Sequence, residues 1–253
     1  MKHDIVYILK NDYDSEELRY SIRSVVQNFP YRKLVFVGGC PKDIKPDIYI
    51  PDLQEGATKW ERSMHSLQLV LDNDELTEDI WLFNDDFFIM DPVRSDVNYF
   101  SGSLERRIIE MKQKHPRGSG YIRSLESLKA TLFNMNKDTL CFALHIPFLI
   151  NRVKAENLFE EYPGTKMFRS FYGNYFEIEC SYMRDVKVYD LETVPDTAYI
   201  STTDESFKKG KVGEFLRKYF ANPSKYETKY EKNTLLDTVR EIYDEEGEIR
   251  YEN

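Results

Sequence analysis

The sequence predicts an α/β domain: a mostly parallel sheet with helices on both faces. Two observations carry this. Short, continuously apolar, β-rich runs recur at "DIVYIL" (4–9), "KLVFVGG" (33–39), "DIYIP" (47–51) and "DIWLF" (79–83). Between the outer runs lie longer segments whose apolar residues repeat at helical spacing. Strands alternating with helices in this way argue for a parallel sheet covered on both sides.

The elements follow in order. "DIVYIL" is a buried strand, and "NDYDS" after it supplies turn and cap residues. In "SEELRYSIRSVVQNF" (15–29), Leu18, Ile22, Val25, Val26 and Phe29 fall at helical spacing. Ser15 is the cap candidate, acids occupy the first turn, and Pro30 stops the helix. The second strand ends in glycines and the third is short. "TKWERSMHSLQLVLDN" (58–73) is a helix with Trp60, Met64, Leu67 and Leu71 on one stripe. The fourth strand, 79–83, runs into "NDD". Ligands of such sheets bind beyond the carboxyl ends of the strands. Lys10, Asn11, Asp12, Gly38, Gly39 and Asn84 to Asp86 are therefore expected on one rim.

Regularity falls after residue 93. Helices are expected at 103–114, 122–136, 153–162 and 212–220, with a mobile loop at "KHPRGSGY" (114–121). "DTLCFALHIPFLIN" (138–151) reads as a strand stopping at a His-x-Pro turn, and 185–190 as a last short strand.

Composition sets bounds. The chain has 253 residues, 41% apolar and 14% aromatic, enough for one large domain or two small ones. Its net charge is −9, unevenly spread. From Tyr226 onward four basic residues face nine acidic ones, whereas residues 101–130 hold seven basic against three acidic. That balance argues against a general nucleic-acid binder but allows a local grip on phosphate. No run approaches the roughly 20 apolar residues of a membrane span. The N-terminal apolar stretch, Ile5 to Leu9, is too short for a signal-peptide core, so a cytoplasmic location is expected. Cys40, Cys141 and Cys180 are odd in number and widely spaced, which suggests buried free thiols.

The stretch "DIWLFNDDFFIMDPV" (79–93) sets Asp85 and Asp86 between runs of large apolar residues. Two adjacent carboxylates at a buried strand end repel unless a cation or hydrogen-bond donors neutralise them. Mg²⁺ or Mn²⁺ does so with one or two carboxylates plus substrate phosphates and water, which points to a diphosphate ligand. The ordinary alternative is an Asx turn with solvated acids.

At this turn the chain resembles the nucleotide-diphospho-sugar transferases of GT-A type, in which an acidic turn ending the fourth strand binds Mn²⁺ or Mg²⁺. More narrowly, "ELRYSIRSV" (17–25) followed by "WLFNDDFFI" (81–89) resembles the Stealth family of sugar-phosphate transferases and related phage and bacterial glycosyltransferases. "LHIPF" (144–148) is similar to that family's His-x-Pro element, and Arg169 in "FRSFYGN" to its downstream arginine. The first strand here ends "LKNDYD", without the glycine usual in the family's opening turn.

The resemblance implies a nucleotide-sugar-binding half at 1–100, an acceptor-side half of the same domain at 101–225 and an acidic tail at 226–253. It implies Asp86 as metal ligand, with Asp85 as second ligand or ribose contact. Asn11 and Asp12 would receive the nucleotide base or merely cap the helix entry. Arg19 and Arg23, four apart on one helical face, would reach the diphosphate or pair with surface acids. Lys59 opens a helix, where a cation sits poorly with the dipole and hints at a bound anion. His145 would ligate the metal or act as general base, the alternative being a core histidine bonded to a carbonyl. Arg169 would bind a phosphate or carboxylate. His3, His65 and His115 read as surface or structural.

The expected activity is metal-dependent transfer of a sugar, or a hexose-1-phosphate, from a nucleotide-sugar such as a UDP-sugar to a hydroxyl of a polysaccharide-like acceptor. The basic 101–130 stretch would then be a lid or a solvated helix face. Two other readings stand beside this one: a phage enzyme glycosylating a modified DNA base, and a non-catalytic sugar-binding or scaffold module.

Overall fold

In β1 (His3–Leu9), Ile5, Tyr7 and Leu9 point to one side of the sheet and Val6 and Ile8 to the other. The strand is buried on both faces, which is why its sequence is continuously apolar. The computed structural model describes residues 2–11, 15–56, 58–164 and 166–228. After β1 come α1 (Glu16–Asn28), β2 (Tyr31–Gly38), β3 (Ile48–Ile50), α2 (Lys59–Leu71) and β4 (Asp79–Phe83). The chain continues through β5 (Phe87–Ile89), β6 (Asn98–Phe100), α3 (Leu104–Lys114), α4 (Gly120–Asn134), β7 (Phe148–Asn151) and α5 (Arg152–Glu161). It closes with α6 (Phe168–Tyr175), β8 (Cys180–Tyr182), β9 (Lys187–Val188), β10 (Tyr199–Thr202), α7 (Asp204–Lys209) and α8 (Lys211–Tyr219).

The central sheet has the order β3-β2-β1-β4-β7. Its first four strands are parallel and β7 is antiparallel to β4. The fold is thus α/β with a mostly parallel sheet flanked by helices, as the sequence predicts. On one face Leu18, Ile22 and Val25 of α1 pack on Ile5, Tyr7, Phe36 and Phe83. On the other, Leu67, Val70 and Leu71 of α2 join Val6, Val35 and Leu82, with Leu125 and Phe171 from the second half. A small sheet, β5-β10-β9, stands off the end of β4. The pair β6-β8 forms another.

Three expectations are corrected. Residues 138–147 form no strand beyond one isolated bridge at Leu140; the strand begins after the His-x-Pro turn, at Phe148. The segment instead bonds to Asn174 and Ser170 of α6 and to the backbone of 101–104, so its apolar side chains are buried without joining the central sheet. α6 begins at Phe168, where no helix was expected. Only Cys141 is buried; Cys40 is exposed and Cys180 intermediate, and all three are free. The acidic tail beyond Thr228 lies outside the described residues. No helix among the described residues is long and apolar enough to cross a membrane.

Candidate functional site

The carboxyl ends of β1 and β4 and the start of α2 surround a cavity of about 620 Å³, lined by Lys10, Asn11, Gln54, Lys59, Arg62 and Asp85. A second, of about 1030 Å³, shares Asn11 and Leu53 and runs past Gly38, Gly39 and Tyr49. The two glycines are required here. Gly38 has φ +86°, and a Cβ on it would lie 2.3 Å from the Leu9 carbonyl; one on Gly39 would lie 2.2 Å from that of Lys10. Tyr49 and Leu53 stay largely exposed on this rim, a flat apolar surface beside polar walls.

The rim is braced from behind. The Asn11 backbone N–H donates to Gln54 Oε1 at 3.0 Å, and its Nδ2 to the Asp52 carbonyl at 2.8 Å. Asp52 is buried and accepts from Ser66 Oγ at 2.5 Å and the Gln54 N–H at 2.7 Å, with His65 Nδ1 2.8 Å away. Asn11 therefore ties the first strand to the loop entering α2. Asp12 lies outside the described residues. Lys59 follows Thr58, whose capping box with Glu61 fixes the α2 N-terminus against the cavity.

The two helical arginines divide. Arg19 is ion-paired with Asp43, on the wall of the second cavity. Arg23 holds Glu227 (Nε 2.8 Å, Nη2 2.6 Å) and the Phe220 and Ala221 carbonyls, and so fastens the chain that follows α8.

The acidic turn closes through the Phe87 N–H on the Asn84 carbonyl at 3.3 Å. Its two acids part company. Asp85 lines the first cavity. Asp86 turns toward β10 and β9, where Oδ2 accepts from Lys187 Nζ and, at 3.2 Å, from Ser201 Oγ. Its Oδ1 is buried and has no partner among the described residues. Lys187 also donates to the Thr202 carbonyl.

The "ELRYSIRSV" segment holds this turn in place. Ser21 Oγ donates to the Phe87 carbonyl at 2.5 Å, Ser24 Oγ accepts the Ile89 N–H at 3.0 Å, and Asn28 Nδ2 donates to the Ile89 carbonyl at 2.7 Å. A polar stripe on α1 thus satisfies one edge of β5. Glu17, on the same helix, accepts from Thr202 Oγ1 at 2.6 Å. Burial pushes its carboxyl up to about 7; the Thr202 bond opposes this and the charges of Asp85 and Asp86 add to it.

A second cluster lies in the half of the chain after residue 100. His145 Nδ1 is 2.9 Å from both carboxylate oxygens of Asp185, whose Oδ1 also accepts the His145 N–H at 3.2 Å. A carboxylate at Nδ1 selects the tautomer with the proton there, leaving the Nε2 lone pair available. Partial burial alone would raise the Asp185 carboxyl, but the His145 contacts and the charge of Arg107 hold it below the usual carboxylate range. Arg169 Nη1 donates to the carbonyls of Leu144 (3.1 Å) and Ile146 (2.9 Å), on either side of His145. Its guanidinium sits over the rings of Phe87 and Phe148, 5.7 Å from each centroid. Burial lowers it to about 10, against the pull of Asp86.

The fold therefore brings Asp86, Arg169 and His145 into one neighbourhood and sets Asp85 and Lys59 on the adjoining cavity. Sequence reasoning missed Asp185, Lys187, Glu17 and Thr202. Lys187 and Asp185 sit in "RDVKV", where an alternating charged and apolar strand was the only signal.

Among the described residues no three or more His, Cys, Asp or Glu side chains gather as a metal site. The oxygens at this turn that would be open to a hard divalent ion are those of Asp85, on the cavity, and Asp86 Oδ1, which has no donor; two carboxylates suffice for Mg²⁺ or Mn²⁺ only when substrate phosphates and water complete the shell.

No protein-family model and no curated protein sequence matches the chain. Among solved structures, the chain is similar to the apo form of the glycosyltransferase GlyE of Streptococcus pneumoniae TIGR4, with TM-score 0.43 and 11% identity over 98% of this chain and 64% of that one. A second GlyE structure gives TM-score 0.34 and 11% identity over 72% of this chain and 45% of that one. The chain thus spans less than two thirds of the length of the structures it resembles.

Proposed function

We propose that this chain transfers a glycosyl group from a nucleotide-sugar, a UDP-sugar first, to an acceptor hydroxyl. The observation that carries the reading is the acidic turn: Asp85 lines a cavity with Lys10, Lys59 and Arg62, and the adjacent Asp86 has one oxygen bound and the other buried without a donor. The nucleotide would occupy the crevice past Gly38, Gly39 and Tyr49, with its diphosphate against Lys59 and Arg62. Asp85 and Asp86 would hold Mn²⁺ or Mg²⁺ there, and the bound ion would neutralise charge gathering on the leaving diphosphate.

His145 would take the proton. The acceptor oxygen forms a bond to the anomeric carbon, the bond from that carbon to the β-phosphate oxygen breaks with its electron pair leaving on the diphosphate, and the acceptor proton passes to Nε2. Asp185 orients the ring and stabilises the imidazolium. Attack at the β-phosphorus instead would break the bridge between the phosphates, move hexose-1-phosphate and release the nucleoside monophosphate. The released nucleotide therefore separates the two courses. We place the reaction in the cytoplasm, in keeping with three free thiols.

The basic 101–130 stretch is largely paired within the α3-α4 hairpin: Arg106 with Glu110, Lys112 with Glu126 and Lys129 with Glu105. Those contacts favour a solvated helix face over a lid.

Thermal unfolding with UDP and Mn²⁺ tests the reading. UDP and metal together are expected to raise Tm by more than the two effects added, through linkage to the folded state. Lys59→Gln should weaken UDP about tenfold, roughly 1.4 kcal/mol, with stability within about 0.5 kcal/mol of wild type. No response to UDP with either metal would sink the proposal.

A further inference from the structure

A third cavity, of about 330 Å³, lies on the acceptor side between the start of α3 and the segment after β8, with Arg106, Arg107, Tyr182, Arg184 and Asp185 in its wall. Three guanidinium groups meet only two carboxylates here, Glu110 and Asp185. Arg106 Nε donates to Glu110 at 2.9 Å, and Arg107 Nη1 stands 3.7 Å from the same residue. Arg107 is steadied by a side-chain hydrogen bond with Tyr121, yet its Nε is buried without a partner among the described residues. A buried guanidinium N–H without an acceptor is costly and marks a place for a ligand oxygen. Ser103 caps α3 at this point, so the positive end of an 11-residue helix adds to the field.

The wall also carries an aromatic face. Tyr182 is 54% exposed, and its ring stands edge-on to Phe100 at 5.9 Å between centroids, which fixes its orientation. Asp185 closes the link to the chemistry, because the carboxylate that walls this cavity is the one bound to His145 Nδ1.

Planar guanidinium forks match the oxygens of a phosphate or carboxylate, and an exposed tyrosine face suits the apolar side of a sugar ring. We propose that this cavity is an acceptor subsite for a sugar bearing an anionic group, phosphate or carboxylate, held by Arg107 and Arg184 with one hydroxyl turned to His145. The proposal rests on the transferase reading for its purpose but not for its binding chemistry.

Calorimetric titration of the full chain with glucose 6-phosphate, glucuronic acid and glucose, without donor, tests it. At least one of the two anionic sugars should bind, the tighter one identifying the group, and glucose should bind at least tenfold more weakly. Arg184→Gln, at an exposed position, and Arg107→Gln should each weaken that anionic sugar tenfold or more while leaving UDP affinity unchanged. Glucose binding as tightly as both anionic sugars would overturn the inference, as would an Arg184→Gln chain that binds them like wild type. Anionic-sugar binding with no response to UDP and metal would sink the transferase reading alone. The reverse result would sink this subsite alone.

Discussion

Asp4, buried, and Asp86, half-buried, are carboxylates at opposite ends of the same parallel sheet, and their surroundings differ. At the amino end, Asp4 accepts from Arg32 Nε at 2.8 Å and Nη2 at 2.5 Å, and from the backbone N–H groups of Lys33 at 3.2 Å and Thr77 at 2.9 Å. Both oxygens are saturated. At the carboxyl end, Asp86 has Lys187 and Ser201 on one oxygen and a buried, donor-less second oxygen. Leaving a buried acceptor unmet costs about 1–3 kcal/mol. Such a group calls for a compensating role, a bound water or ion among them. The amino end is built for stability, and the proposed function assigns the carboxyl end to a ligand.

The sharpest way to break that comparison is to remove each carboxylate in turn. Asp4→Ala strands a guanidinium and two backbone N–H groups, and should lower unfolding free energy by about 3–5 kcal/mol while folded molecules bind UDP unchanged. Asp86→Ala should cost less, about 1–2 kcal/mol, since one oxygen has no bond to lose and Lys187 keeps the Thr202 carbonyl. It should, however, abolish the joint response to UDP and metal. Urea unfolding and thermal shifts read both. Equal stability losses with ligand response intact in both variants would erase the distinction.

A smaller effect sharpens the same contrast at His145, where the proposed mechanism uses a carboxylate to orient. Asp185→Asn should leave binding of the anionic sugar within a fewfold of wild type but lower turnover about a hundredfold, roughly 2.7 kcal/mol of barrier. The split between kcat and KM distinguishes orientation from mere packing: kcat should fall while KM stays near wild type. A turnover drop with an equal loss of anionic-sugar binding would assign Asp185 a structural role.

The two ends were unequally legible in the sequence. The parallel half could be read because local signals and tertiary context agree there. β1 is covered on both faces, α1 and α2 stand where the helical spacing puts them, and Gly38 and Gly39 stand where backbones nearly touch, although Ser15, the cap expected for α1, makes no side-chain cap bond. Asp86 drew notice because a paired acid between apolar runs is electrostatically unusual. The second half could not be read in the same way. Residues 140–146 are largely apolar because they are buried against α6 and the start of α3, not because they form a strand of the central sheet, and burial alone cannot tell these apart. Asp185 and Lys187 acquire their partners, His145 and Asp86, from 40 and 101 residues away. No local pattern encodes such pairings. The "ELRYSIRSV" stretch was legible as a helix and as a family likeness. That Ser21, Ser24 and Asn28 hydrogen-bond the edge of β5 follows only from β5 lying across α1.

Glu17 gives the smallest effect and the most direct reading of the carboxyl-end field. It faces Thr202 and feels the charges of Asp85, Asp86 and Asp204, and its carboxyl sits at about 7 instead of the usual 4.5. A raised folded value means the folded chain binds this proton more tightly than the unfolded chain. Its contribution is therefore complete below about pH 4.5, declines as pH rises toward 7, and is gone above that. Glu17→Gln keeps the neutral form at every pH. It should match wild type near pH 5 and exceed it above pH 7, by about 3 °C in Tm, with the difference opening between those limits. The carboxylates held below their usual range, Asp52, Asp185, Glu16 and Glu227, lie below that window. Mn²⁺ should narrow the gap, because a cation on Asp85 and Asp86 removes the negative field that helps hold the Glu17 proton. A gap that opens with pH but ignores the metal would place the ion away from these two acids.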